Sequence, residues 1–75
     1  MWLANAENTV VINSDNVGYI FIAHYDESIV IRAHMHDGNR VTLRKFLHED
    51  EKAALDEFTA IQARLERDHQ RRWRY

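Results

Sequence analysis

The chain has 75 residues, with 10 Lys and Arg against 12 Asp and Glu, a formal net charge of −2 and no cysteine. That length is one domain, residues 1–75. The lack of cysteine excludes disulfide and thiolate–metal staples, the acidic balance argues against polyanion binding by the whole surface, and no run approaches the ~20 apolar residues of a membrane span.

The first residues, Met1 to Asn5, turn polar at once, and their apolar run is too short for a signal peptide. With no cysteine, this fits a cytoplasmic protein. Thr9 to Asn13 is a short β-rich run. Ser14-Asp15-Asn16 is turn chemistry, because short polar side chains bond their own backbone. Val17 to Tyr25 reads as a strand, with Ile20 and Ile22 on one side and Tyr19, Phe21 and Ala23 on the other.

Ile29 to Phe46 reads as two strands around Asp37-Gly38-Asn39. One face collects Ile29, Ile31, Ala33, Met35, Val41 and Leu43 and is a core face. The other collects Val30, Arg32, His34, His36, Arg40, Thr42, Arg44 and Phe46. Placing Met35 opposite Val41 and Ala33 opposite Leu43 leaves a three-residue loop, Asp37 to Asn39, with Asn39 in the left-handed conformation. In that register Arg32 lies opposite Arg44, and like charges directly opposed on a sheet are unfavourable. If the Tyr25–Ser28 connection has four residues, Ile22 faces Ile31, Ile20 faces Ala33, Phe21 sits beside Arg32 and Tyr19 beside His34. With three residues, Phe21 turns inward instead.

From about Asp50 the apolar period becomes helical, with Ala54, Leu55, Phe58, Ile61 and Leu65 in one stripe. No glycine or proline stops this helix, which is expected over residues 50–72. At 1.5 Å per residue it is roughly 33 Å long, against about 26 Å for an eight-residue strand, so it should overhang its sheet. Acids dominate its start, five against one Lys from His48 to Ala63, and bases its end, five Arg against two acids from Arg64 to Tyr75. That asymmetry complements the helix dipole. Glu66 to Tyr75 carry no apolar stripe for the domain's own core.

The order of Asn13-Ser14-Asp15-Asn16-Val17, a hairpin, and an acidic helix start at Glu49-Asp50-Glu51 resembles small bacterial and phage-associated proteins of unknown function. The resemblance covers residues 9–65 and implies a β-meander followed by one C-terminal helix. It implies no activity and carries no functional residues across.

No catalytic constellation is visible. Ser14 and Ser28 fall in predicted turns rather than in a strand–turn–helix elbow, and neither glycine belongs to a phosphate-cradling loop. The helix acids sit on a solvated face, without the apolar surroundings that raise a carboxyl pKa. The chain is expected not to be an enzyme and to need no cofactor. His34 and His36, two apart on one strand, have usable spacing for a metal, but Arg32, Arg40 and Arg44 would repel a cation and no third ligand is identifiable. No metal site is expected.

Two surfaces remain as candidates. One is the outer sheet face, with Tyr19, Phe21, Arg32, His34, Arg44 and Phe46; the other is the helix end, with Arg71, Arg72, Trp73 and Arg74. The outer face is open to three readings. It is a tolerated arginine–aromatic surface, a homodimer interface of the kind enriched in arginine and aromatics, or a platform on which single-stranded nucleic acid stacks. A domain this short buries only roughly 60–65% of its unfolded surface, and self-association is a common remedy. The expectation is therefore an α+β domain: a three- to four-stranded antiparallel meander packed against one long C-terminal helix. Its expected role is a non-enzymatic interaction module that forms a homodimer, with nucleic-acid binding as the alternative. The expected core is Val10, Ile12, Ile20, Ile22, Ile29, Ile31, Ala33, Met35, Val41, Leu43, Leu55, Phe58, Ile61 and Leu65.

Overall fold

A computed structural model describes the backbone of residues 2–72 and the side chains of residues 2–68. In chain order the elements are β1 (Trp2–Ala4), β2 (Val11–Asn13), β3 (Val17–His24), β4 (Ser28–Met35), β5 (Arg40–Leu47) and α1 (Glu51–Arg72), with 3-10 turns at Ser14–Asn16 and His48–Asp50. The class is α+β. A three-stranded antiparallel sheet, β3-β4-β5, packs one face against α1, and β1-β2 form a separate two-stranded sheet. The Thr9–Asn13 run thus supplies β2, which pairs with β1 rather than adding a fourth strand to the meander.

The central strand β4 alternates as a two-sided strand must. Ile29, Ile31 and Ala33 are fully buried towards α1, and Met35 nearly so. Against them lie Leu43, Ala54, Ile61 and Leu65, also buried. Leu3 and Ile12, partners across the β1-β2 ladder, and Val17 form one cluster with Ile31, Ala33, Met35, Leu43, Ile61 and Leu65. Ile20, Ile22, Val41, Phe46 and Phe58 are half-buried at its margin. Of the expected core, Val10 and Leu55 fail, at 52% and 46% exposed. Leu3, Val17 and Val30 join the buried set unexpectedly.

β3 pairs with β4 in the register of the four-residue connection: Ile22 faces Ile31, Ile20 faces Ala33, Phe21 faces Arg32 and Tyr19 faces His34. The β4–β5 hairpin differs from expectation in two ways. Its loop has three residues, but they are His36 to Gly38. Met35 N–H donates to the Asn39 carbonyl at 2.8 Å, and Gly38, not Asn39, takes the positive φ of 94°. Gly without a Cβ is the cheaper occupant of that conformation. The Asp37 carboxylate holds the loop by accepting from Asn39 N–H at 2.9 Å.

The second difference is a β-bulge. Arg32 faces Thr42, but Ile31 faces Arg44, so Leu43 is the extra residue. A bulge places two successive residues of one strand against one of its partner. The alternation of β5 therefore inverts after Leu43. Arg44 and Phe46 move to the helix side, and Lys45 comes to the outer side opposite Val30. Because the hairpin pairs Ala33, not Met35, with Val41, Arg32 faces Thr42, and the like-charge clash expected from the Met35–Val41 register does not exist.

The loop from Asn5 to Val10 docks on the free side of β5, where Ala6 N–H donates to the Thr42 carbonyl at 2.9 Å. Asn5 braces this loop, its Oδ1 accepting from Thr9 N–H at 2.9 Å and Val10 N–H at 3.1 Å. At the helix start, Glu49, Asp50 and Glu51 complement the helix dipole. Among the described residues, no helix is long and apolar enough to cross a membrane.

Candidate interaction surface

The side of the sheet away from α1 carries Tyr19, Phe21, Ala23 and Tyr25 from β3 and its following turn, Val30, Arg32 and His34 from β4, and Thr42 and Lys45 from β5. Each is there by strand parity. Tyr19, Phe21, Arg32 and His34 fall where the alternation placed them; Arg44 and Phe46 do not, because of the bulge at Leu43. Arg44 instead bridges the inner elements. Its Nη1 donates to the Ala4 carbonyl at 3.1 Å and to the Leu43 carbonyl at 2.7 Å, and its Nε lies 3.5 Å from the Glu57 carboxylate. Its partners are therefore supplied within the chain. Arg71 and Arg72 belong to α1, but their side chains lie outside the described residues, as do Trp73 and Arg74 altogether.

On the β3 half of the outer face the rings are ordered by cross-strand pairing. Tyr19 stacks on His34, with centroids 4.8 Å apart and planes 5° from parallel. Phe21 tilts against Tyr19 at 5.9 Å. Tyr19 remains 55% exposed and Phe21 is half-buried. Next to them the Arg32 guanidinium lies 5.9 Å over the Tyr25 ring, a cation–π contact. Arg32 Nε and His34 Nδ1 are shielded from solvent and have no hydrogen-bond partner among the described residues. Such groups in a folded protein are few, and each asks for an explanation.

On the β5 half a cleft of about 490 Å³ opens between the Asn5–Glu7 loop and the sheet. Arg32, Lys45 and Tyr25 line it, with Val30 on its floor and Glu7 on its wall. Val30 was placed on this face by alternation, but Tyr25 and Lys45 were not anticipated as site residues. Tyr25 extends the odd-numbered face of Tyr19 and Phe21, which was the signal for it. Lys45 could be placed only by recognising the bulge.

His34 and His36 do not lie on one strand: His34, on β4, spends its ring on the Tyr19 stack, and His36 sits in the turn beyond Met35, its backbone N–H donating to the Asn16 carbonyl at 2.8 Å. Among the described residues, no three of His, Cys, Asp and Glu come close enough to hold a metal ion. At the helix start a second cluster forms: His48 Nε2 lies 2.7 Å from the Tyr25 carbonyl, and His24 Nε2 lies 4.0 Å from the Glu51 carboxylate. All of these side chains are exposed and fasten the Tyr25–Ser28 turn to the start of α1. Ser14 is buried and donates its hydroxyl to Asp68, and Ser28 pairs within the sheet. Comparison of the chain with protein-family models, with curated proteins and with solved structures gave no significant match.

Proposed function

We propose that the chain is a small non-enzymatic interaction module that binds a second copy of itself, with the aromatic half of its outer sheet face in the contact. One observation carries this reading: α1 covers only one face of the meander, and the other presents Tyr19 and Phe21 beside two shielded polar atoms, Arg32 Nε and His34 Nδ1, that lack partners among the described residues. Aromatics and arginine at the centre of a patch are the composition of an interface core. A partner's carbonyl or carboxylate would satisfy Arg32 where the described residues do not. Loss of Phe46 from this face removes one of the rings on which a nucleic-acid platform would have drawn, while Lys45 takes the place of Arg44.

The test is the solution mass at about 100 μM, a concentration at which a dimer with Kd near 1 μM, about −8 kcal/mol, is nearly complete. The expected mass is twice the 9.0 kDa of the chain. Phe21→Glu is expected to return the protein to a folded monomer. A monomeric wild-type protein that binds a single-stranded oligonucleotide in a salt-sensitive way would assign the face to nucleic acid instead.

A further inference from the structure

The meander has two edges, and among the described residues only one is occupied. β5 is bonded along its free side by Ala6 at Thr42. β3 is the other edge, and no described element pairs with its outer side.

Which of its backbone groups face outward follows from the ladder. Tyr25 N–H donates to the Ser28 carbonyl at 2.8 Å. Antiparallel partners alternate between pairs that exchange hydrogen bonds and pairs that do not. Counting back from Tyr25–Ser28, the bonded pairs are Ala23–Val30, Phe21–Arg32 and Tyr19–His34. The intervening residues, Ile20, Ile22 and His24, turn their N–H and C=O groups away from β4. The Met35–Asn39 bond on the other side of β4 has the matching phase.

Natural edge strands are blunted by charge, by proline, or by a covering loop. β3 has none of these. From Val17 to Ala23 it is Val-Gly-Tyr-Ile-Phe-Ile-Ala, without a charged residue. Its one bulge, at Gly18, lies at the strand's start and leaves Tyr19 to His24 in regular pairing. The adjoining flank of α1 is uncharged from Leu55 through Phe58 to Gln62, with Glu66 beyond it in the same groove. Phe58 and Gln62 border the same groove as Val17, Tyr19 and Ile20. Leu55, one turn before Phe58 on that side of the helix, is 46% exposed.

We infer that the outer edge of β3 is the binding site for a second copy of the chain, joined antiparallel strand to strand about a two-fold axis at Phe21 to make one continuous six-stranded sheet. This rests on the self-association proposed above and specifies its geometry. A two-fold contact brings every residue near the axis against its own copy, so a charge there would meet itself; an edge of Ile20, Phe21 and Ile22 meets no such penalty. With the axis at Phe21, Ile20 of one copy pairs with Ile22 of the other, which joins outward-facing groups to outward-facing groups. The two Phe21 rings meet on the outer face beside Tyr19. On the opposite face the helices lie side by side, and Leu55 and Phe58 of each cover the other's.

Amide hydrogen exchange reads this directly. At about 100 μM, where a dimer of Kd near 1 μM is nearly complete, the amides of Ile20 and Ile22 are expected to exchange slowly, and about tenfold faster once diluted to monomer. Those of Tyr19, Phe21 and Ala23, bonded to β4, are expected to stay protected at both concentrations. Ile22→Pro, which removes an outward N–H and no β4 bond, should give a monomer with a cooperative melt. The exchange measurement needs no variant and stands if Ile22→Pro fails to fold. A dimeric mass with Ile20 and Ile22 exchanging equally fast at both concentrations would overturn the edge pairing and leave self-association through the outer face intact. A monomer at about 100 μM would overturn both.

Discussion

The hydroxyl of Ser14 donates to the carboxylate of Asp68 across 54 positions of sequence, joining the turn after β2 to the far part of α1. Ser14 is 2% exposed. Beyond Leu65 the helix has no apolar stripe, so the domain's own apolar core was not expected to hold the segment from Glu66 onward. At Asp68 a polar contact continues the attachment where the hydrophobic one ends. A charged acceptor makes this bond stronger than a neutral one. Ser14→Ala is expected to cost about 1–3 kcal/mol. At about 4–8 °C per kcal/mol for a domain of this size, calorimetry should resolve the fall in Tm. Thr59→Ala, on the exposed side of the same helix, should stay within about 0.5 kcal/mol. Equal melting of the two variants would remove Ser14 from any stabilising role.

Arg44 ties three elements together through Ala4, Leu43 and Glu57. Its side chain and that of Glu57 are each about one-third exposed, so the ion pair itself is screened and worth about 0–1 kcal/mol. The bond to the Ala4 carbonyl fastens β1 beside β5. Arg44→Ala is expected to cost more than Glu57→Gln, about 1–3 kcal/mol against less than about 1. It should also raise amide exchange in Trp2–Ala4 while β4 stays protected. Equal costs for the two substitutions would mean that the ion pair, not the carbonyl bond, is what matters.

Much of this fold was legible because β4 and α1 obey their periods strictly. Ile29, Ile31, Ala33 and Met35 alternate without a break, and Ile61 and Leu65 fall one turn apart. The errors cluster where a strand changes phase. In β5 the apolar positions run Val41, Leu43, then Phe46, from odd to even numbers. In β3 they run Val17, then Ile20 and Ile22. Each switch marks a bulge, at Leu43 and at Gly18, and reading both strands as evenly alternating put Arg44 and Phe46 on the wrong face. β1 was missed for a different reason. Three residues are too few to show a period, and Leu3 earns its place only through Ile12 across the ladder. At the candidate surface, Tyr19, Phe21, Arg32 and His34 were readable from alternation alone. The cleft was not, since its wall is the Asn5–Glu7 loop and its Lys45 depends on the bulge.

Ile61 and Leu55 share the apolar stripe of α1 in sequence but not in burial, at 1% and 46% exposed. Ile61 packs among Ile31, Leu43 and Leu65. Ile61→Ala is expected to cost about 2–5 kcal/mol, the transfer term plus the cavity left behind, enough to unfold much of a small domain. Leu55→Ala should cost under about 1 kcal/mol in dilute, monomeric protein, where little apolar area is lost. Urea unfolding at low protein concentration compares them, and similar midpoints would contradict the burial.

The two glycines are required for different reasons, and substitution separates them. Gly38 closes the β4–β5 loop at φ 94°, with nothing within 4 Å of where a Cβ would stand. There is room for a side chain but strain in the backbone. Gly38→Ala is expected to cost about 1–2 kcal/mol. Gly38→Asn should cost less, because asparagine tolerates the left-handed region. Gly18 has no such φ. A Cβ there would stand 3.2 Å from the His34 carbonyl oxygen, a backbone atom fixed in the sheet. Its cost is crowding, about 1–3 kcal/mol, and asparagine should be at least as bad as alanine. Thermal melts of the four variants check the contrast. If Asn rescues Gly18 but not Gly38, the assignments of strain and crowding are reversed.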